Sequence, residues 1–462
     1  MKNIVVVGGG AGGLELATYL GNKLGRKKRA NVTLIDRNQT HLWKPLLHEL
    51  ATGALDDGVE ALSYRAHAHN HHFHFEQGAM VGLNRQHKYV ELAPVYGEDG
   101  DTIVVSRRIP YDYLVIAIGS KSNDFNTKGV AENCIFLDSS AQAMRFQHKM
   151  LELFLKFREN QALDDIGEGE SKQQLAEDGH INIAIVGAGA TGVELSAELY
   201  NAAEHLSSYG YGEIDSSCLK VTLVEAGPRI LPALPERISN DATEELSKLG
   251  VKVKTNTMIV EANKKCLITK DGSQIPADLI VWSAGIRTSS ITQNFDGLEV
   301  NRINQLVVKK TLQTTEDDTI FAMGDCCFFM QEDGKPVPPK AQAAHQMAGF
   351  CAKNIIALFE GKPLKEFKYN DFGKELIDWM EEAYAEGKTL AEATKTLVNK
   401  LFADRGLLMI DGDDLKLKEQ MKEIFADELK NNSLKKETHQ SVENLTKKYG
   451  KVQVNPREIN LF

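Results

Sequence analysis

The sequence is poor in cysteine, and its cysteines show no pairing pattern. Only Cys326 and Cys327 lie close together among the six, and no C-x-x-C pair or metal-type spacing is present. Adjacent cysteines rarely reach disulfide geometry, which makes a redox pair at 326–327 the less favoured interpretation. The pattern fits a protein of a reducing compartment.

Long apolar runs and basic clusters are missing as well. No apolar stretch reaches the length of about 20 residues that a bilayer-spanning helix needs. An apolar strand is predicted from Lys2 onward, so no cleaved signal is expected. The net charge is -10, with 54 Lys and Arg against 64 Asp and Glu. We therefore expect no nucleic-acid partner, and only a peripheral form of any membrane contact.

The chain does contain a glycine-rich segment directly after its first apolar run. In KNIVVVGGGAGGLELATYL, Gly8, Gly10 and Gly13 have G-x-G-x-x-G spacing between a predicted strand and a predicted helix. Such glycines allow a tight turn, close approach to a pyrophosphate and close helix packing. The helix N-terminus offers N–H groups to phosphates. The next apolar run ends at Asp36, whose carboxylate can accept ribose hydroxyls.

The same design recurs about 180 residues later. INIAIVGAGATGVELSAEL contains Gly187, Gly189 and Gly192, and the following apolar run ends at Glu225. Two such segments predict two dinucleotides, which are most simply the two ends of an electron relay. Glu225 favours NADH over NADPH, because a carboxylate accepts from a ribose 2'-hydroxyl but repels a 2'-phosphate. Arg229 is a caution, since a nearby arginine can accommodate that phosphate.

Short apolar runs that end in glycine turns accompany both segments. YDYLVIAIGS ends near Gly119, ADLIVWSAGIR near Gly285, and TIFAMGDCC at Gly324 and Asp325. We predict an α/β fold with two Rossmann-like dinucleotide-binding domains and a mainly helical C-terminal tail.

Residues 1–373 resemble type II NADH dehydrogenase, the non-proton-pumping NADH:quinone oxidoreductase of the two-dinucleotide-binding-domain flavoproteins. The motifs that carry the resemblance are GGGAGGLELA, HLWKPLLHELATG, GAGATGVELSAEL, FAMGDC and AQAAHQMA. It implies a FAD-binding domain in two parts (1–120 and 291–373) and a NADH-binding domain (121–290). An atypical segment then follows (374–462).

The resemblance also implies roles for individual residues. The FAD contacts would be Gly8, Gly10, Gly13, Asp36, Lys44, Gly119 and Asp325, and the NADH contacts Gly187, Gly189, Gly192, Glu225 and Gly285. Glu194 would lie beside flavin and nicotinamide, where a buried position would favour proton exchange near neutral pH. Gln342 and Gln346, four residues apart on a predicted helix, would flank the quinone headgroup. A helix that only packs closely through its alanines is the alternative interpretation, and His345 is expected on the surface or in packing.

No metal site is predicted. RAHAHNHHFHFEQ (65–77) is rich in histidine, but its alternation around Phe73 and Phe75 indicates a strand with the histidines on an exposed side. Nothing nearby completes a set of ligands.

The sequence changes character after the F-x-Y-x-D-x-G motif that ends at Gly373. Residues 374–462 resemble a fragment of the cysteine ligase of bacillithiol biosynthesis, and they lack the large apolar face of an interfacial helix. We expect no ligase activity from the fragment, which is either a fusion or an appended helical domain. The resembled family works peripherally at the cytoplasmic face of the bacterial inner membrane, with a homodimer left open. A cytoplasmic location is the alternative if the altered tail abolishes docking.

Two other functions stay open at this stage. One is another flavoprotein of the superfamily, such as a ferredoxin reductase or a sulfide:quinone reductase. The other is a non-catalytic FAD-binding protein with a fused tail. A disulfide reductase is disfavoured, because HLWKPLL occupies the place of a redox cysteine pair.

Overall fold

The structure is a computed structural model that describes residues 1–371, apart from 57, 59–60, 98, 166–179 and 209–215. The chain divides into two compact units, Met1–Tyr369 and Asn370–Phe462. The predictions for 374–462 therefore lie outside the described residues. The predicted domain bounds stay predictions.

The strands among the described residues are numbered in chain order, and each lies in the first unit. They are β1 (Lys2–Val7), β2 (Ala30–Asp36), β3 (Thr40–His41), β4 (Leu62–Ser63), β5 (His74–Gln77), β6 (Met80–Asn84), β7 (Tyr89–Leu92), β8 (Val95–Tyr96), β9 (Thr102–Val104), β10 (Arg107–Pro110), β11 (Tyr113–Ile116), β12 (Lys121–Ser122), β13 (Ile181–Val186), β14 (Leu219–Val224), β15 (Lys252–Lys254), β16 (Ile259–Ala262), β17 (Cys266–Thr269), β18 (Gln274–Pro276), β19 (Leu279–Trp282), β20 (Ile286–Arg287), β21 (Leu306–Val307), β22 (Ile320–Ala322) and β23 (Cys327–Phe328).

The helices lie between these strands and at the end of the unit. They are α1 (Ala11–Leu20), α2 (Leu47–Thr52), α3 (Tyr64–Asn70), α4 (Val130–Asn133), α5 (Ser140–Asp165), α6 (Ala190–Ser208), α7 (Glu236–Lys248) and α8 (Ala341–Phe359). Short 3-10 turns occur at Lys44–Leu46, Ser216–Cys218, Ser290–Asn294 and Gly324–Cys326, and a π-helical turn at Gly21–Gly25.

A five-stranded parallel sheet carries the first glycine segment. Its order is β22-β11-β1-β2-β5, so a strand from residues 320–322 completes a sheet begun by residues 2–7. Ile4, Val6, Leu34 and Leu114 are fully buried, as expected for a parallel sheet covered on both faces. The carboxyl ends of β1, β11 and β22 meet at one edge, which places three predicted loops side by side.

A four-stranded parallel sheet of order β15-β14-β13-β19 carries the second glycine segment. All six residues of β13 are buried. The predicted α/β class with two Rossmann-like parallel sheets is confirmed. Among helices of the described residues, none is long and apolar enough to cross a bilayer.

The prediction of a strand in the histidine-rich segment 65–77 is wrong for residues 65–72. These residues begin with helix α3, where the Ser63 hydroxyl accepts the N–H of Ala66 at 3.4 Å. Tyr64 and Ala68, four residues apart, bury one helix face. Only His74–Gln77 forms a strand, paired with β2.

Candidate functional site

The two glycine segments form the same strand–turn–helix structure. Gly8 and Gly187 follow β1 and β13 with φ angles of 105° and 102°, a backbone region that favours glycine. A Cβ on Gly13 would overlap the carbonyl oxygen of Gly8, and a Cβ on Gly192 would overlap that of Gly187. Both pairs are therefore required by the packing of helix on strand.

The middle glycine of each segment has a different reason to be glycine. A Cβ on Gly10 or on Gly189 would meet no atom of the described residues within 4 Å. Gly10 has ordinary extended backbone angles, φ -65° and ψ -172°, and caps α1 without a side-chain hydrogen bond. Neither packing nor strain explains the absence of a side chain. Open space at a helix N-terminus fits the approach of a pyrophosphate.

Asp36 holds the first loop as well as facing it. Its Oδ2 accepts the N–H of Gly9 at 2.7 Å, and its Oδ1 accepts the N–H of Asn38 at 2.8 Å. Each carboxylate oxygen has a second lone pair, so acceptor capacity remains for a ribose hydroxyl.

The carbonyl of Gly9 is fixed by two residues whose contribution the sequence did not reveal. Tyr64 Oη donates to it at 2.7 Å, and His41 Nδ1 lies 2.9 Å from it. Because a carbonyl oxygen only accepts, His41 carries its proton on Nδ1. Burial, and secondarily the charge of Asp36, raises the pKa of Tyr64, so its hydroxyl stays a donor. Side chains thus hold both the N–H and the carbonyl of Gly9.

Glu225 occupies the matching place in the second loop. Its Oε2 accepts the N–H of Ala188 at 2.9 Å, and its Oε1 accepts the N–H of Gly227 at 2.8 Å. Arg229 donates to the carbonyl oxygens of Leu234 and Pro232 at 2.6 and 2.9 Å. Its guanidinium is therefore engaged with backbone, which reduces the case for a 2'-phosphate site.

Asp325 lies in the 3-10 turn after β22, beside the end of β11. Ser120 Oγ donates to its Oδ2 at 2.7 Å, and Gln305 donates to its backbone oxygen at 2.8 Å. Gly119 and Gly324, with φ angles of 67° and 70°, shape the two turns. The structure thus brings together Gly119 and Asp325, which the sequence placed in separate motifs.

Lys44 completes this corner. Its Nζ donates to the backbone oxygen of Ser120 at 2.9 Å and lies 3.9 Å from Asp138 Oδ1. Asp138 also accepts from the N–H and hydroxyl of Ser122. Ser120 and Asp138 carry no motif, and only their contacts reveal them.

Gly285 lies where the chain crosses between the two sheets. Its φ is 61°, and the strand that follows, β20, pairs antiparallel with β12. The N–H of Asn123 donates to the carbonyl of Gly285 at 3.3 Å. Arg287 Nη2 lies 3.3 Å from Asp124 Oδ1. The turns after β11 and β19 are therefore joined to each other.

Glu194 lies in α6, one turn beyond the second loop. Half of its side chain is exposed, so the burial that would favour proton exchange near neutral pH is absent. Its Oε2 lies 3.5 Å from Nδ1 of His48, on α2.

Gln342 and Gln346 lie in the first two turns of α8, which packs against α1. A Cβ on Gly12 of α1 would overlap Met323 and approach the backbone oxygen of Ala344. Close packing through small residues is therefore real, and it coexists with the two partly exposed glutamines. His345 is exposed and lies 2.7 Å from Glu15, in agreement with its predicted surface position.

Phe367 and Tyr369, the first two residues of the motif before the change in sequence character, belong to the first unit. Phe367 is buried, with its ring centroid 5.3 Å from those of Phe329 and Phe350. Tyr369, also buried, donates from its hydroxyl to Gln342 Oε1 at 3.5 Å. The end of the first unit therefore contacts the helix that carries the glutamines.

Five of the six cysteines are buried. In the described residues, no disulfide joins any two of the six cysteines. Burial raises the pKa of the Cys326 thiol to about 11, and it also raises those of Cys327 and Cys351. In the part of the chain that the structure describes, no group of three or more His, Cys, Asp or Glu side chains could hold a metal ion.

Comparison with known proteins gives two family matches. Residues 2–348 match the pyridine nucleotide-disulphide oxidoreductase family. Residues 331–462 match the N-terminal Rossmann-like domain of bacillithiol biosynthesis BshC. The predicted double resemblance is thereby confirmed.

Individual relatives agree with the first match. The chain is 73% identical to a type II NADH:quinone oxidoreductase of Haemophilus influenzae over 373 residues, 81% of this chain and 84% of that protein. It is 30% identical to a protein of the same name from Staphylococcus saprophyticus, over 80% of this chain and 86% of that one. The fold is similar to that of NDH2 from Plasmodium falciparum in complex with NADH, with a TM-score of 0.64, 20% identity, and coverage of 79% of this chain and 87% of that chain.

Proposed function

The chain belongs to the type II NADH:quinone oxidoreductases, and on that premise we propose which of its residues hold the two dinucleotides and the quinone. It is an FAD-dependent oxidoreductase that passes electrons from NADH to a quinone. Ferredoxin and sulfide:quinone reductases share the superfamily, but 73% identity over 373 residues favours the NADH:quinone enzyme. FAD, when bound, supplies the two-electron chemistry, and the protein supplies alignment and electrostatics.

The N-terminal loop and the Asp325 corner hold FAD. The observation that carries the assignment of both dinucleotides is the open space at Gly10 and at Gly189, which no contact among the described residues explains. Gly10 and the α1 N-terminus receive the FAD pyrophosphate, and Asp36 receives the ribose. Asp325, oriented by Ser120, accepts from the ribityl chain or its phosphate side, and Lys44 stabilises the corner.

The second loop holds NADH. Gly189 and the N-terminus of α6 receive its pyrophosphate, and Glu225 accepts from the ribose 2'-hydroxyl. Glu194 lies one turn further along α6 and orients the nicotinamide. Gly285 closes the turn that joins this domain to β12.

The quinone headgroup lies against α8, between Gln342 and Gln346. Their amides can donate to the quinone oxygens, which gain negative charge on reduction. Tyr369 holds Gln342 from behind by its hydroxyl contact.

A comparison of half-reactions tests this assignment. Gln342→Ala should slow reoxidation of the reduced flavin by a soluble quinone analogue by about tenfold, the effect of losing one hydrogen bond worth about 1.4 kcal/mol, with bleaching by NADH unchanged. Lys353→Ala, an exposed residue further along the same helix, serves as the control. Equal slowing of both half-reactions in Gln342→Ala would contradict the quinone assignment.

We place the enzyme peripherally at the cytoplasmic face of the bacterial inner membrane, where the resembled family works. Residues 374–462 lack the apolar and basic sequence of a docking segment, so we expect weak attachment. A homodimer is the assembly we propose. Flotation with liposomes measures attachment, and strong binding would contradict the interpretation of the tail.

A further inference from the structure

We propose that His48 is a positioning residue for Glu194, and that it sets the alignment of the nicotinamide against the flavin. The inference rests on the function proposed above for Glu194. It adds a residue to which no role was assigned from the sequence.

The side chains of His48 and Glu194 lie in contact. His48 Nδ1 lies 3.5 Å from Glu194 Oε2, and 12% of the His48 side chain is exposed against 50% for Glu194. A partly exposed glutamate has many side-chain conformations, and a fixed partner restricts them. At 3.5 Å this is a close polar contact rather than a hydrogen bond, and an N–H on Nδ1 attracts the carboxylate electrostatically across it.

Core packing holds helix α2, which carries His48. Its neighbours Leu47, Leu50 and Ala51 are buried in the same core as Leu195 and Leu199 of α6. Helix α2 therefore packs on the helix that carries Glu194, although the two are distant in sequence. A partner fixed by core packing positions a side chain better than one on a mobile loop.

The segment that leads into helix α2 begins at the FAD corner. One turn before His48, Lys44 donates to the backbone of Ser120, whose hydroxyl holds Asp325. Residues 44–48 thus extend from the FAD corner to the first turns of the NADH helix. A shift of this segment changes both sites together, so it can keep the two dinucleotides aligned.

His48 Nε2 faces a second carboxylate, Glu49 Oε1, at 3.9 Å. This contact provides a matched control, because asparagine and glutamine each reproduce one side of the ring. The amide nitrogen of asparagine is as many bonds from the backbone as Nδ1, and that of glutamine as many as Nε2. His48→Asn therefore keeps a donor toward Glu194, whereas His48→Gln keeps one toward Glu49.

The test follows anaerobic bleaching of the bound flavin by NADH in a stopped-flow instrument, with the full-length holoenzyme. His48→Gln should slow bleaching about tenfold, since small misplacements of reacting groups cost up to about 100-fold. His48→Asn should stay within about threefold of wild type, and Glu49→Gln should not change the rate. Adding His48→Gln to Glu194→Gln should cause no further loss, because both changes remove one interaction.

Wild-type bleaching by His48→Gln beside a slow Glu194→Gln overturns the inference and leaves the proposed function of Glu194 standing. Additive losses in the double variant overturn it in the same way. Wild-type bleaching by Glu194→Gln overturns the proposed role of Glu194 and the inference with it. Flavin content and melting temperature reveal a folding failure of His48→Gln. In that case His48→Asn decides, and a tenfold loss in a fully flavinated His48→Asn overturns the proposal.

Discussion

The hydroxyl of Tyr64 donates to the carbonyl oxygen of Gly9 across 2.7 Å, although 55 residues separate the two. The N–H of Gly9, which belongs to the preceding peptide linkage, donates to Asp36, and His41 Nδ1 lies 2.9 Å from the same carbonyl oxygen as Tyr64. The orientation of the peptide that precedes Gly10 is therefore set by two side chains from other elements. A loop fixed in this way presents its N–H groups to a phosphate without reorganisation on binding.

Tyr64→Phe tests the importance of this orientation for cofactor binding. His41 still donates to Gly9, so the loss should be about 1 kcal/mol, or roughly a fivefold weaker affinity for FAD. Titration of apoprotein with FAD, followed by flavin fluorescence, measures it. Tyr113→Phe, whose ring contacts Phe359 away from the loop, should bind FAD as wild type does.

Alanine at the two open glycines separates the two dinucleotide sites. Gly10→Ala should fold and weaken FAD binding at least about fivefold, because overpacking a ligand interface costs about 1–3 kcal/mol. Gly189→Ala should keep its flavin and instead raise the NADH concentration needed for bleaching. Gly13→Ala should lose stability itself, which a melting curve shows. Retention of both affinities by Gly10→Ala and Gly189→Ala would contradict the assignment of the pyrophosphates.

Glu225→Gln removes the negative charge that disfavours a 2'-phosphate. Like charges brought together cost several kcal/mol, so the preference for NADH over NADPH should fall by at least about tenfold. The ratio of kcat/KM values for the two substrates measures it. Glu261→Gln, a carboxylate of the same domain paired with Lys128, should leave the ratio unchanged. An unchanged ratio in Glu225→Gln would show that discrimination lies elsewhere.

The stability of the first unit should depend on the titration of His67. Burial, with the nearby His71 and His41, lowers the pKa of His67 from 6.5 to about 4, and its Nε2 lies 2.8 Å from the Thr18 hydroxyl. The unfolded chain then binds a proton that the folded chain does not. The stabilisation is complete above about pH 6.5 and is lost as the pH falls toward 4.

Because the ring is only half-buried, solvent screening limits this effect to about 1 kcal/mol. His67→Gln keeps a polar group near Thr18 but does not titrate. Its melting temperature should therefore fall less than that of wild type between pH 7 and pH 5. Parallel curves for the two proteins would exclude His67 as the source.

Local patterns predicted the parts of the site that are local in structure. The strand, glycine turn and helix at residues 2–20 and 181–208 are each specified within one short segment, because the glycines serve packing inside it. The same kind of reasoning misjudged residues 65–72, because the alternation around Phe73 and Phe75 was extended to them as a strand and a capped helix formed instead.

The residues that hold the cofactor loops from outside could not be found in this way. Ser120 and Asp325 are 205 residues apart in sequence, and Tyr64 and Gly9 are 55 apart. Serine, tyrosine and histidine are common in loops and helices, so their types alone give no signal. Only the sheet order, which places β22 beside β11, brings Ser120 to Asp325.

Electron transfer from NADH through the flavin to a quinone is measured by mixing the wild-type holoenzyme with NADH without oxygen, and then with a soluble quinone analogue. We expect that one NADH per flavin bleaches the flavin absorbance and that the quinone restores it fully. Flavin that stays oxidised in excess NADH would contradict the central claim, and so would reduced flavin that no quinone reoxidises.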